Sequence, residues 1–235
     1  MLRRFLPVIV LSALPYAALA EPLILNTENW FPYNYEKDGK ILGTSTEIVE
    51  KAAKAAGVDY KIVLGPWNRS YNTALNQPNN CVYSTSLTDD RKPLFKWVRS
   101  VGAVRWYVFK LKGSSFTASS IDDLKGKTIG GYVGDASAEF LKKNGIKVDQ
   151  APSDDVNPKK LKAGRIDAWA TAELPGIRLA KKAGVEIEPT FNLLEYMLTI
   201  ACNKSVDDAV IAKLQKAVDD INASGEGDKI RARNS

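Results

Sequence analysis

The order of predicted strands and helices constrains this fold most, because short apolar segments alternate with helix-like segments twice along the chain. The first round has predicted strands that begin near Leu23, Tyr60 and Cys81. The second round has predicted strands at 128–133, 146–148 and 166–170. Such alternation is typical of a mainly parallel sheet with helices on its faces. The sequence therefore predicts an α/β fold with two lobes and a cleft between them.

Two further extended segments connect these rounds. Val98 to Phe109 is rich in β-branched and aromatic residues, and Met197 to Cys202 is predicted to be a strand that precedes a long helix. In open parallel sheets, ligands bind beyond the carboxyl ends of the strands. Three polar segments lie at such ends, so we expect them near a ligand: Thr27 to Trp30, Ser84 to Arg91 and Gly134 to Ser137.

The first twenty residues have the features of a secretory signal peptide. Arg3 and Arg4 precede the apolar stretch Phe5 to Leu14, and Ala18-Leu19-Ala20 forms a small-residue cleavage site. We expect cleavage after Ala20 and export to the periplasm. No later stretch approaches the length needed to span a membrane, so we expect the mature chain to be soluble.

The composition excludes several kinds of site. The chain has no histidine, which rules out a Ser-His-Asp triad and histidine metal ligands. Its two cysteines, Cys81 and Cys202, cannot build a four-cysteine zinc site, and an even pair in an exported protein favours a disulfide. The formal net charge of +6 is spread along the chain rather than blocked. We therefore expect no metal, no cofactor and no nucleic-acid partner.

A run of hydroxyl side chains is the strongest candidate binding segment. Five of the six residues from Tyr83 to Thr88 carry hydroxyls, and Arg91 follows them. The guanidinium of arginine matches a carboxylate with two parallel hydrogen bonds. Taken alone, the run also fits a solvated polar turn. Its place at a strand end, near two other such ends, favours ligand binding.

Several motifs in order along the chain resemble those of the family 3 extracellular solute-binding proteins, which feed polar amino-acid ABC importers. Each motif is weak alone, but together they cover essentially the whole mature chain. They are Thr27 with 30–33 (WFPY), 84–91 (STSLTDDR), 124–130 (LKGKTIG), 163–168 (AGRIDA) and 222–225 (NASG).

The resemblance implies a type II periplasmic-binding-protein fold. The first lobe would comprise residues 21–99 plus 199–235, and the second residues 100–198, with the crossing segments as a hinge. The expected function is capture of a small polar, amino-acid-like solute by lobe closure, followed by transient docking of a monomer on a membrane ABC permease. The same topology places the strands of Cys81 and Cys202 side by side and antiparallel, which implies a disulfide.

The residues that bind ligand in the family can be matched to this sequence one position at a time. Trp30 stands where an aromatic ring stacks on the ligand, and Trp67 is expected on the opposite wall. Ser84 and Ser86 match positions that bind the ligand's amine and carboxylate. Arg91 matches the arginine that holds the α-carboxylate.

The second lobe departs from the family pattern. Small hydroxyl residues usually follow the glycine that corresponds to Gly134, but here 135–137 reads Asp-Ala-Ser, and we expect Asp135 and Ser137 to bind ligand. The aspartate that usually takes the α-ammonium is replaced by Ala172, with Glu173 next. Either Asp135 or Glu173 takes over the ammonium, or the ligand is another small carboxylate or a cationic metabolite. A competing interpretation is that Asp135 only caps its helix.

Two other functions fit the same scaffold. Relatives of the family include a cyclohexadienyl-dehydratase-like enzyme in which carboxylates of the cleft act as acids, and Asp135 with Glu173 could serve in that way. No other acid–base pair is evident, so we expect no enzyme activity. The third function is a periplasmic sensor module, which the sequence does not separate from a transport role.

Overall fold

The computed structural model describes residues 21–233, and the predicted signal peptide, residues 1–20, lies outside that range. The strands are β1 Leu23–Thr27, β2 Tyr35–Lys37, β3 Lys40–Leu42, β4 Tyr60–Leu64, β5 Asn80–Ser86, β6 Lys96–Leu111, β7 Thr128–Tyr132, β8 Lys147–Ala151, β9 Ala168–Ala172 and β10 Ile187–Cys202. The helices are α1 Thr44–Ala55, α2 Trp67–Asn76, α3 Ala136–Lys143, α4 Asn157–Lys162, α5 Glu173–Ala183, α6 Asp208–Ala223 and α7 Glu226–Ala232.

Eight strands form one continuous sheet in the order β4-β1-β5-β10-β6-β9-β7-β8, and β2 pairs with β3 in a separate hairpin. In the first lobe, β1 runs parallel to β4 and β5, next to α1, α2, α6 and α7. In the second lobe, β7 runs parallel to β8 and β9, next to α3, α4 and α5. This arrangement confirms the predicted α/β class.

The antiparallel pair β6 and β10 joins the two lobes, because both strands have 16 residues and pair along most of their length. The prediction began β10 ten residues too late, at Met197. The missed part contains Glu188, Pro189 and Asn192 and is mostly half-buried, so it lacks the apolar run that indicates a core strand. Pairing of the two strands shifts between the Leu198–Gly102 and Ile200–Val98 pairs.

The disulfide between Cys81 and Cys202 is present, as predicted. The two residues are direct partners in the register of β5 and β10, with Cα atoms 3.9 Å apart, and both are fully buried. The bridge therefore ties the returning strand near the carboxyl end of the chain to the centre of the first lobe.

Each lobe has its own apolar core. In the first, Leu214, Val218 and Ile221 of α6 pack with the apolar face of α1 and the central strands. In the second, Leu124, Ile129 and Leu141 form the main cluster. Within residues 21–233, no helix combines the length and apolar character that crossing a bilayer would require. The packing of these two cores fixes the carboxyl ends of β1, β5 and β7 near the interface between the lobes.

Candidate ligand-binding site

A small cavity of about 10 Å³ lies between the lobes. Both lobes contribute to its walls, which are formed by Glu28, Trp30, Trp67, Ser84, Ser86, Arg91, Trp106, Tyr132, Asp135 and Ala136. Six of the seven predicted ligand residues are in this set, and the exception is Ser137. In the arrangement described, this volume holds about one water molecule, so a larger ligand requires the lobes to move apart.

The guanidinium of Arg91 is buried and held in a fixed position. Its Nη2 donates to the carbonyl oxygen of Gly134 at 2.8 Å, and Nη1 lies 3.5 Å from that of Ser86. Its central carbon lies 5.5 Å from the ring centre of Trp67 and 5.2 Å from that of Tyr71, which follows one turn later on α2. Cation–π contacts of this kind favour the charged side chain in this place. Five N–H groups are available on an arginine, so further donors remain for a ligand.

Gly134 provides the main contact between the lobes at this point. Its carbonyl oxygen accepts from Nε1 of Trp67 at 2.7 Å as well as from Arg91. Its φ of 77° lies in the left-handed region, where a glycine avoids the strain that a side chain would cause. A Cβ atom here would also lie 3.4 Å from the Trp67 ring. The glycine therefore permits this close approach of the second lobe.

An aromatic wall closes another side of the cavity. The ring centre of Trp30 lies 4.7 Å from that of Tyr33 and 6.2 Å from that of Trp106. Trp30 is only 6% exposed and also contributes to the core of the first lobe. The predicted stacking residue is thus held rigidly, and Trp106 of β6 is a wall residue that the sequence did not indicate.

The two predicted serines end β5 at the cavity. Ser84 has a φ of 60°, which is uncommon for a residue other than glycine, and its hydroxyl donates to Oδ1 of Asn34. Asn34 also donates from Nδ2 to the backbone carbonyl of Glu28 at 2.6 Å. The side chain of Ser86 is 3% exposed, and its hydroxyl makes no hydrogen bond within residues 21–233. Ser84 therefore fixes the loop after β1, whereas Ser86 keeps a free hydroxyl.

Asp135 both caps α3 and lines the cavity. Its Oδ2 accepts from the backbone N–H of Ser137 at 2.9 Å and of Ala138 at 3.4 Å, and from the Ser137 hydroxyl. Burial raises the pKa of the Asp135 carboxyl, while the bonds from Ser137 and the charge of Arg91 act in the opposite direction. Ser137 itself is fully buried behind Asp135, so the structure does not place it against the cavity as predicted.

Glu28 is an acidic wall residue that the sequence interpretation missed. It follows β1 directly, and its Oε1 accepts from the Tyr132 hydroxyl of the other lobe at 3.3 Å. Burial, followed by the nearby charges of Asp135 and Asp154, raises the pKa of the Glu28 carboxyl from 4.5 to about 8. The only available signal was its position in the polar segment from Thr27 to Trp30 at a strand end.

A third carboxylate, Asp154, lies behind the cavity in the second lobe. Its Oδ1 accepts from Asn157 and from Trp169, each at 2.8 Å, and Oδ2 accepts from Thr171 at 2.6 Å. Burial nevertheless raises the pKa of Asp154 from 3.8 to about 7. Because its oxygens are already bonded and it is absent from the cavity wall, Asp154 is a structural neighbour of the site.

The alternative ammonium partner, Glu173, is not in the cavity wall. Its Oε2 forms an ion pair with Nη2 of Arg105 at 2.9 Å at the start of α5. Ala172, which replaces the usual aspartate, is buried in the apolar core. Among residues 21–233, no group of histidine, cysteine, aspartate and glutamate side chains is arranged to hold a metal ion.

A larger cavity of about 660 Å³ adjoins the first one and shares Trp67, Arg91 and Ala136 with it. It opens between α2 and the segment 88–94 of the first lobe and α3 of the second lobe. At its edge, Nζ of Lys143 lies 2.9 Å from Oδ1 of Asp90 across the lobes. This pair is exposed, and exposed pairs typically contribute about 0–1 kcal/mol to stability.

Comparisons with known proteins agree with this geometry. The sequence model of the bacterial extracellular solute-binding proteins, family 3, matches residues 23–234. The L-cystine-binding protein TcyJ of Escherichia coli K12 is 27% identical over 207 residues, which is 83% of this chain and 77% of that protein. The probable amino-acid-binding protein YxeM of Bacillus subtilis is 25% identical over 206 residues, which is 83% of this chain and 76% of that protein.

A solved structure shows the same fold. The arginine-, lysine-, histidine-binding protein ArtJ of Geobacillus stearothermophilus superposes with a TM-score of 0.80, at 20% identity, over 91% of this chain and 95% of that one.

Proposed function

The chain belongs to the bacterial extracellular solute-binding proteins of family 3, and from that premise we propose that it captures a small polar, amino-acid-like solute for delivery to a membrane ABC permease. The observation that carries the proposal is the environment of Arg91. A buried guanidinium that contacts two neighbouring aromatic rings lines a cavity between the lobes, beside a free hydroxyl on Ser86. A ligand carboxylate there would meet oriented donors in a site with little water.

We propose lobes of residues 21–99 plus 199–235 and 100–198, with the hinge where the chain crosses between them. The shifted pairing between Leu198–Gly102 and Ile200–Val98 supports this position, as does the positive φ of 77° at Ser100. Hinges are a few residues that absorb backbone rotation while ordered elements move as units. In this proposal Trp30, Trp67 and Ser86 bind from the first lobe and Asp135 closes the site from the second.

Binding without catalysis is also part of the proposal. The family and the named relatives are binding proteins. Incubation of the protein with a bound ligand, followed by mass spectrometry, should return the ligand unchanged. A new product that depends on Asp135 would instead support the cleft-enzyme alternative.

Export to the periplasm, with cleavage after Ala20, completes the proposal. A mature protein whose first residue is Glu21 is expected, and amino-terminal sequencing of periplasmic material measures it. Cells lacking the gene should take up the ligand more slowly. Normal uptake with a changed transcriptional response to the ligand would favour a sensor module.

The deciding experiment is a thermal-shift screen of the mature protein against amino acids, polyamines and small carboxylates, followed by calorimetric titration. A ligand that binds only the folded state raises the melting temperature by mass action. At least one amino-acid-like compound should raise the melting temperature and should titrate with one site per chain. A screen in which no compound shifts the transition contradicts the proposed function.

A further inference from the structure

We propose that Glu28 and Asp135, which line the cavity from opposite lobes, together hold a cationic nitrogen of the ligand and replace the carboxylate that is missing at Ala172. The inference rests on the proposed function and narrows its ligand class. It assigns the chain a ligand that carries an ammonium or guanidinium group, together with an acidic group for Arg91.

Acidic side chains outnumber basic ones at the cavity. Glu28 and Asp135 both line the cavity; the charge of Asp135 raises the pKa of Glu28, and both charges raise the pKa of Tyr132. Arg91 is the only basic residue in the same wall, and it already donates to two backbone carbonyls. Two carboxylates that approach in a buried site require a proton or a cation between them.

The existing hydrogen bonds leave carboxylate oxygens of Glu28 and Asp135 available as acceptors. All three bonds to Asp135 from α3 end on Oδ2, which leaves Oδ1 out of the helix cap. Within residues 21–233, the carboxylate of Glu28 accepts one hydrogen bond, from Tyr132. The Tyr132 hydroxyl also interacts with Asp135, but it has a single proton and can donate it to one acceptor at a time.

A third, independent observation indicates that the cavity accommodates a ligand. The side chain of Ser86 is 97% buried, lines the same cavity and has a hydroxyl without a hydrogen bond among the residues described. The hydroxyl reaches the cavity and can therefore donate to a polar group of a ligand there. Two acidic side chains, the Ser86 hydroxyl and Arg91 thus line one cavity.

Hydrogen bonds of Asn34 hold the loop that carries Glu28 in position before a ligand arrives. Asn34 donates from Nδ2 to the Glu28 carbonyl at 2.6 Å, and the N–H of Trp30 donates to the Asn34 carbonyl at 2.5 Å. Asn34 is fully buried and also accepts the Ser84 hydroxyl. A loop fixed in this way loses little conformational freedom when the ligand binds, which favours affinity.

The proposed site therefore differs from one in which a single carboxylate of the second lobe binds the ligand's ammonium group. A cation between Glu28 and Asp135 would contact both lobes directly and would favour the closed arrangement. A ligand with the same acidic group but without the nitrogen would leave two carboxylates in one cavity without a cationic partner from the ligand. We expect the site to reject such deaminated analogues.

The test compares an amino acid found in the screen with its deaminated carboxylic acid, using calorimetry on wild type, Glu28→Gln and Asp135→Asn. Glu173→Gln serves as the matched control, because Glu173 pairs with Arg105 outside the cavity. Wild type should prefer the amino acid at least about tenfold, and Glu28→Gln and Asp135→Asn should each reduce that preference about tenfold or more, as for the loss of a charged hydrogen-bond partner. Glu173→Gln should behave as wild type.

A second readout separates this role from a structural one. Calorimetry of wild type in buffers with different ionisation enthalpies should detect protons released when the amino acid binds, and Glu28→Gln should release fewer. Equal binding of the amino acid by wild type and both cleft variants, with no proton release, overturns the inference while leaving the proposed function standing. Absence of binding by any compound to wild type would instead contradict the proposed function, and the inference with it.

Discussion

The guanidinium of Arg91, in the first lobe, donates to the backbone carbonyl of Gly134, in the second lobe, at 2.8 Å. Trp67 donates to the same oxygen at 2.7 Å. One carbonyl therefore receives two side-chain donors from across the cleft. The contact orients Arg91 beside the cavity, and it also links ligand binding to the relative position of the lobes.

Replacement of Arg91 by alanine should abolish ligand binding. The ligand's acidic group would then be buried without its partner, and truncation of one member of such a pair costs about 2–5 kcal/mol. Arg91→Lys should also weaken binding, because an ammonium group cannot provide two parallel hydrogen bonds. Calorimetric titration with the ligand from the screen measures both affinities.

Arg165→Ala is a suitable control, since Arg165 is exposed and lies outside both the cavity wall and the proposed hinge. It should bind as wild type does. Circular dichroism should show that the Arg91 variants remain folded. An Arg91→Ala protein with wild-type affinity would exclude the proposed role of this arginine.

The ligand-free protein should lose stability as the pH rises from mildly acidic to mildly basic. The pKa of Glu28 is raised from 4.5 to about 8 in the folded chain, so the folded state holds more protons than the unfolded state between these values. The stabilising effect is complete below pH 4.5 and is lost as the pH rises through about 8. Asp154, with a pKa of about 7, contributes in the same direction.

Thermal melts of wild type and Glu28→Gln across this range provide the measurement. Glutamine cannot titrate, so the melting temperature of the variant should fall less between about pH 5 and about pH 8. The fall in melting temperature that remains in the variant should then reflect Asp154 and other titrating groups. Parallel curves for the two proteins would show that Glu28 keeps an ordinary pKa.

Removal of the disulfide should reduce the free energy of unfolding without changing the fold. The bridge joins residues separated by 121 positions, and loss of a native disulfide typically costs about 2–5 kcal/mol. Urea unfolding of a variant with both Cys81→Ala and Cys202→Ala should show a loss of this size, and reduced wild type should behave similarly. Titration of two free thiols in unfolded, unreduced wild type would contradict the bridge.

The parts of the site that lie at the ends of strands could be predicted from local sequence. Ser86, Arg91 and Asp135 follow or end strands, and strand ends in a parallel sheet meet at one edge. The position of Glu28 was not predictable in this way. Whether it points to solvent or to the cavity depends on Asn34 and on the approach of Tyr132 from the other lobe.

The same limit explains why the surroundings of Glu173 and the first part of β10 were not predicted. Glu173 could be placed near the cleft from the sequence, but its ion pair with Arg105 depends on the pairing of β6 with β9, which brings distant segments together. The first part of β10 mixes apolar with polar residues and is mostly half-buried, and its pairing with β6 makes it a strand. Non-local pairing of this kind leaves little trace in local periodicity.

Asp135 provides the last prediction, because it has two functions that substitutions can separate. Asparagine caps helices about as well as aspartate, so Asp135→Asn should change the free energy of unfolding very little, whereas Asp135→Ala should lower it by about 0.5–2 kcal/mol. Urea unfolding of the ligand-free proteins measures this difference. For the ligand, both variants lack the carboxylate, so both should weaken binding of a compound with a cationic nitrogen by about 1–3 kcal/mol.

The comparison between the two variants decides the role of this carboxylate. Equal losses of affinity with unequal losses of stability would mean that the charge, not the helix cap, binds the ligand. Because Glu28 contacts the same Tyr132 hydroxyl, the effects of Glu28→Gln and Asp135→Asn on affinity should also fall short of additivity when combined. Wild-type affinity in Asp135→Asn, with weaker binding only in Asp135→Ala, would assign Asp135 to capping alone.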